Sequence, residues 1–176
     1  VINNYYEFKH NLPLSKSNTI GFASRCEGRK NPHYLENLDC FIFTNSLEFN
    51  LFWKNGVGLN YDKAKIYHYY GNFKDKFYEM DWGISHSAFT SEPFGYSIFE
   101  SVDRGKLPIL HSTWCKDFEY PYRVSSKKEF VDIYNKVCND TYETKNYWFN
   151  KIKNYMIHNY SNKQLWIDSL LDIYNI

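Results

Sequence analysis

The chain has 176 residues, of which 21 are basic and 20 acidic, a formal net charge of +1, and 43% are hydrophobic. That length buries the core of one ordinary domain without help from disulfides or metal, and charges interleaved to the C-terminus leave no basic stripe for extended contact with nucleic acid. No stretch of about 18 apolar residues exists to span a membrane, and the opening VINNYYEFKHNLPL lacks the charged-then-apolar order of a signal peptide, so a cytoplasmic, soluble domain is expected.

In chain order, NTIGFAS (18–24) reads as a short buried strand. NPHYLENL (31–38) reads as a helix with Asn31 as N-cap and Pro32 at its first position. DCFIFTN (39–45) follows as a second strand. After a loop around Gly56 and Gly58, AKIYHYYG (64–71) alternates like a strand, KDKFYEM (74–80) is helical, and WGISHSAF (82–89) is another strand. YSIFESVDRG (96–105) carries helical apolar spacing in Ile98, Phe99 and Val102 with Gly105 as its stop, and LPILHS (107–112) returns as a strand. Three helical segments close the chain, 126–138, 141–160 and 161–175, with Ser126 and Ser161 as caps and Phe130, Ile133, Tyr134 and Val137 on one face of the first.

Strand and helix in alternation, joined by short connections, imply a parallel sheet covered by helices. The expected fold is therefore α/β: a Rossmann-like doubly wound parallel sheet with helices on both faces and a helical C-terminal end. Sheets of this kind bind ligands at the carboxyl ends of their strands. That rule singles out residues 90–95, the loop between the strand at 82–89 and the helix from 96.

Gly95 lets backbone approach a ligand there, and the first amides of the helix favour an anion such as a diphosphate. Glu92 lies in the loop and Glu100 about two turns along the helix, able to return to the crevice by facing it. Two carboxylates beside a phosphate site would repel phosphate, so they suit sugar and ribose hydroxyls. The phosphate charge then needs cations, and Arg25 and Lys30 flank the small loop at Gly28 that ends the first strand. Cations at the start of the helix predicted from 31 would oppose its dipole, which again points to a bound anion.

Cys26, Cys40, Cys115 and Cys138 are far apart, with no Cys-x-x-Cys pair and no neighbouring histidines at zinc spacing, which reads as free thiols and no metal site. His33, His68, His86 and His111 read as structural, with His86 the one placed near the ligand edge. Tyr69 and Tyr70 could flank a base, although 17 tyrosines make that a background signal. The Lys-, Asn- and aromatic-rich texture and the opening at Val1 suggest a piece of a longer protein from an A/T-rich coding source, compatible with a virus or phage.

EPFGYSIFESVDRGKLPI, with its Glu-Pro-Phe-Gly-x-Ser-x-x-Glu order followed by Gly-x-x-Pro-Ile, resembles the E-x7-E signature of retaining glycosyltransferases with the two-domain GT-B fold (group 1, family 4-like). Gly21, Arg25 and Lys30 are similar to that family's upstream G-R-x-x-x-x-K element, and the order of units fits from about residue 18 to residue 112. The resemblance implies a transferase that takes a sugar from a nucleotide diphosphate donor, UDP- or GDP-linked, with retention and with no metal required. It implies Glu100 at the ribose hydroxyls and Glu92 at the donor sugar. It also implies the backbone around Phe94, Gly95 and Tyr96, with Ser97, at sugar and phosphate, and Arg25 and Lys30 at the departing diphosphate.

The chain departs from the family in the short unit between Lys30 and the next strand and in Arg29 beside Lys30. The 17 residues before NTIGFAS cannot form the family's acceptor-holding N-terminal domain, so residues 1–176 are expected to be the single donor-binding domain, working with an N-terminal domain or partner chain. The acceptor stays open between a glycan and, for a phage source, modified DNA. The alternative is a nucleotide-binding or interaction module with no transferase activity of its own.

Overall fold

The computed structural model describes residues 5–25, 27–44, 55–68, 73–90, 95–114 and 116–174. Among these residues six strands form one sheet: β1 (Ile20–Ala23), β2 (Cys40–Thr44), β3 (Ala64–His68), β4 (Ile84–Ser87), β5 (Leu107–His111) and β6 (Arg123–Val124). Their spatial order is β3-β2-β1-β4-β5-β6, and every neighbouring pair is parallel. The helices are α1 (Phe73–Glu79), α2 (Tyr96–Asp103), α3 (Lys127–Asn139), α4 (Tyr142–Tyr160) and α5 (Lys163–Tyr174). This is the Rossmann-like α/β architecture expected from the alternation.

Burial explains which strands read clearly. Along β4 and β5 every residue is buried, as befits central parallel strands covered on both sides, whereas edge strand β3 is only partly buried. Ile20, Phe22, Ile42, Ile109 and Leu110 have no exposure and form the centre of the main core with Phe99, Phe130, Phe149 and Ile152. Each such side chain stabilises the fold by roughly 1.5–3 kcal/mol. A smaller cluster of Phe43, Phe77, Tyr78 and Trp82 seats α1. Gly21 belongs to it by subtraction: a Cβ there would lie 2.3 Å from the Trp82 ring, so only glycine lets the indole pack on β1.

Sequence and structure differ in four places. The helix expected over 31–38 is instead a pair of 3-10 turns, Gly28–Lys30 and Pro32–Leu35. The cause is local: Asn31 and Asn37 both adopt the left-handed conformation, with φ of 51° and 64°, and bracket a single turn. Asn31 is not a side-chain cap; its amide donates to the Ala88 carbonyl at 2.7 Å. A turn of this length sums too few peptide dipoles to repel a cation, so the dipole reason for an anion beside Lys30 lapses.

The second difference is β6, two residues that pair with Leu110 and His111 and are too short to show a period of two. The third is Ser161, which ends α4 and donates its hydroxyl to the Tyr6 carbonyl at 2.6 Å; Asn162 Oδ1 instead accepts from Gln164 N at the start of α5. Ser126 does cap α3, accepting from Glu129 N.

The fourth is the N-terminal segment, which the sequence left without a role. Asp103, 1% exposed, accepts hydrogen bonds from the backbone amides of Lys9, His10 and Asn11 at 3.1, 3.0 and 2.7 Å. Ser15 N donates to the Gly105 carbonyl, and a Cβ on Gly105, at φ 75°, would lie 2.0 Å from Pro13 O. The segment is thus strapped along α2, and the end of that helix is shaped to receive it.

Candidate functional site

The chain leaves β1 toward one edge of the sheet and β4 toward the other, so the crevice between their carboxyl ends is the topological switch point, where doubly wound sheets hold ligands. Described parts of two loops border it, residues 24, 25 and 27–31 after β1 and residues 88–90 after β4. They are stitched together by backbone. Thr90 N donates to the Arg29 carbonyl at 2.8 Å and Thr90 Oγ1 to the same oxygen at 3.0 Å. His86 donates from Nε2 to the Asn31 carbonyl at 2.9 Å.

In this crevice lies a cavity of about 230 Å³ whose lining includes Ser24, Arg25, Lys30, Lys74, Ser97 and Glu100, with Tyr96 at its rim. Arg25, Lys30, Tyr96, Ser97 and Glu100, far apart in sequence, therefore meet in one space. Gly95 is the residue before α2, and its φ of −93° is open to any side chain. Tyr96 is 56% exposed. Glu92 and Phe94 lie outside the described residues, as do Tyr69, Tyr70, Cys26 and Cys115.

The two cations are held differently. Lys30 is 5% exposed, and its Nζ sits 4.3 Å from the centroid of the Phe89 ring, a cation-π contact that holds the charge in a poorly solvated place. Arg25 is mostly exposed and pairs with Glu27 at 3.1 Å, while Arg29 pairs with the same carboxylate at 2.7 Å. The Arg29 hydrogen bond, with the Arg25, Arg29 and Lys30 charges around it, holds the Glu27 carboxyl below its usual range. Glu27 was missed by sequence reasoning, although its place between Arg25 and Arg29 carried the signal. Lys74, which pairs with Glu100, was also missed: its cue was only a lysine near the start of a helix.

His86 is not a ligand-edge group. It is 1% exposed, stacked on Tyr34 and packed against Phe22 and Phe130. Burial pushes its imidazole down to about 4, so it is neutral. His111 is engaged with Thr113 Oγ1 at 2.8 Å. Cys40 is buried, its thiol pushed up to about 12 by burial and by Asp39, and Cys138 is likewise in no disulfide. Among the described residues no three His, Cys, Asp or Glu side chains gather to hold a metal ion, and no helix is long and apolar enough to cross a membrane.

A second cavity, of about 440 Å³, adjoins the first. It shares Lys74, Tyr96 and Glu100 with it and extends to the strap at Tyr6 and His10. Tyr6 closes one side, its hydroxyl reaching Asp103 and its ring packing on Phe99.

No protein-family model and no curated protein matches the sequence. Solved structures do match. HepE of Anabaena in complex with UDP and glucose superposes with a TM-score of 0.65 at 14% identity, over 91% of this chain and 49% of HepE. TarM superposes with a TM-score of 0.66 at 14% identity, over 100% of this chain and 38% of TarM. The catalytic domain of a cholesterol-α-glucosyltransferase from Helicobacter pylori gives 0.52 at 12% identity, over 84% of this chain and 99% of that one. At such identities the likeness establishes a shared fold, and the chain spans about half the length of HepE.

Proposed function

We propose that this chain is the donor-binding domain of a retaining GT-B glycosyltransferase, taking a nucleotide diphosphate sugar in the crevice between β1 and β4. The observation that supports this most is the convergence of Arg25, Lys30, Tyr96, Ser97 and Glu100 on one cavity at the switch point of the sheet. A fold shared with a glucosyltransferase catalytic domain, and with HepE structures that hold UDP and UDP-glucose, favours the same reading.

In this reading Glu100 accepts hydrogen bonds from the ribose hydroxyls, and Arg25 and Lys30 neutralise the diphosphate as it leaves. Lys30 contributes most, because its side chain is already held against Phe89 and meets developing charge with little reorganisation. The backbone from Phe94 to Tyr96, with Ser97, meets phosphate and sugar, and Glu92 the donor sugar. Arg25 and Lys30 supply the charge that a divalent ion supplies elsewhere, so donor binding needs no metal. The acceptor, a glycan or modified DNA, is presented by an N-terminal domain or partner chain, since one domain forms only one wall of a transfer cleft.

A thermal-shift panel of UDP, GDP, ADP and their sugar conjugates, with and without EDTA, tests the reading. A ligand bound only by the native state raises its stability by mass action. Stabilisation by one diphosphate and its sugar conjugate, unchanged by EDTA, is expected. Stabilisation by none of them would remove the donor site, and a requirement for divalent ion would remove the metal-free mechanism.

A further inference from the structure

Glu100 does not stand alone in the crevice. Lys74, in the first turn of α1, pairs through Nζ with Glu100 Oε1, and the next residue, Asp75, pairs with Arg104 at the C-terminal cap of α2. The Arg104 guanidinium in turn lies 5.0 Å above the Tyr78 ring. The start of α1 is thereby riveted to α2 at two adjacent points, and the first rivet is the carboxylate assigned to the ribose. Lys74 and Glu100 line both cavities, so the pair stands where the two meet.

Resting on the donor-site reading above, we propose that Lys74 is a positioning residue for Glu100, and that the pair sets the preference of the site for ribose over deoxyribose. A glutamate side chain alone samples many rotamers and must be ordered when a ligand arrives, at a cost in affinity. Lys74 orders it beforehand. An ionised carboxylate has about four acceptor positions on its two oxygens, so an ammonium on Oε1 leaves Oε2 and part of Oε1 for vicinal hydroxyls. Lys74 itself is half exposed and Glu100 one-quarter exposed, so the pair is open to the cavity without being lost in solvent.

The test is the ratio of affinities for UDP and 2′-deoxy-UDP, and for GDP and 2′-deoxy-GDP, measured by calorimetry on the full chain. Wild type is expected to prefer the ribonucleotide by about tenfold, the scale of one hydrogen bond to a charged group. Lys74→Met should reduce that ratio by about fivefold, the scale of re-ordering one glutamate, and Lys74→Arg should restore it. Asp75→Asn, which loosens the same helix end without touching Glu100, should leave the ratio at its wild-type value.

An unchanged ratio in Lys74→Met, or an equal fall in Asp75→Asn, overturns the positioning role while leaving the donor site standing. A wild-type ratio retained by Glu100→Gln removes the ribose assignment itself. Binding of neither UDP nor GDP to the wild type overturns the donor-site reading and this inference with it.

Discussion

The loop that carries the cations and the three C-terminal helices are built on opposite plans. Residues 27–31 hold their shape through a left-handed Asn31, an amide bond to Ala88, a histidine bond to the Asn31 carbonyl and a lysine buried on Phe89. Helices α3 and α4 rest on periodic apolar side chains, Phe130, Val137, Phe149, Ile152 and Met156, and on ordinary caps at Ser126 and Thr141, and the two buried lysines of α4, Lys145 and Lys153, are each satisfied by a hydrogen bond to the N-terminal segment, at Asn18 Oδ1 and the Leu12 carbonyl. The loop turns its buried lysine toward a cavity; the helices turn theirs onto oxygens of the chain itself and otherwise bury apolar side chains. Changes in the helices should therefore be read out as stability and changes in the loop as ligand affinity.

The largest expected effect is in the helices. Phe149→Ala removes a side chain with 1% exposure from the main core and should destabilise by about 3–5 kcal/mol, seen as a lowered denaturant midpoint. The fraction that remains folded should bind UDP with unaltered affinity. A weakened affinity in the folded fraction would mean that the tail shapes the crevice.

Next comes the pH response of His86, the hinge between the two plans. Its folded-state pKa of about 4 lies below the ordinary value of 6.5. The unfolded chain therefore takes up a proton that the native state refuses. Its contribution is intact above pH 6.5 and is lost as pH falls from there to about 4, amounting to about 3 kcal/mol. Urea titrations across this window should show the fall, and His86→Gln should flatten it; equal slopes in the two proteins would place the acid-sensitive group elsewhere.

Smaller in energy but specific to the loop are Lys30→Ala and Arg25→Ala. Each should lose about tenfold or more in affinity for a nucleoside diphosphate, the scale of one charge-assisted hydrogen bond, while the matching nucleoside binds as before. Lys30 should show the greater loss, because its side chain is buried while the Arg25 guanidinium pairs in the open with Glu27. Equal losses for nucleoside and diphosphate would show that neither cation meets phosphate.

The same contrast explains what could be read in advance. The apolar period that seats Phe130 and Val137, and the runs that become β2, β4 and β5, express burial directly, because each position is occupied according to the face it presents. The switch-point rule then located Arg25, Lys30 and Glu100 together without any knowledge of their distances. The turn at 28–35 was misread because left-handed asparagines at 31 and 37 are tertiary choices: Asn31 is held by Ala88 and His86, residues more than fifty positions away. Asp103 was invisible for a related reason, since a carboxylate on a helix signals solvent until three backbone amides from the strap are seen to need it. Lys74 and Glu27 are partners of site residues, and a partner has no pattern of its own.

Glu27 offers the finest test of how the loop manages its charge. Its carboxylate holds Arg25 at 3.1 Å and Arg29 at 2.7 Å, so a diphosphate entering the crevice must compete with it for Arg25. Both partners are partly exposed, and such pairs are worth about 0.2–1 kcal/mol. Glu27→Gln keeps the shape and removes the charge. It should raise affinity for UDP by about 1.4- to fivefold, the same energy expressed as a ratio, and leave uridine binding as it was. The gain should shrink as salt is added, because the repulsion it relieves is screened. Calorimetry at two salt concentrations measures all three. A loss of UDP affinity in Glu27→Gln would give the residue the opposite role: the carboxylate would be aiming Arg25 at the phosphates, as Lys74 is proposed to hold Glu100 for the ribose.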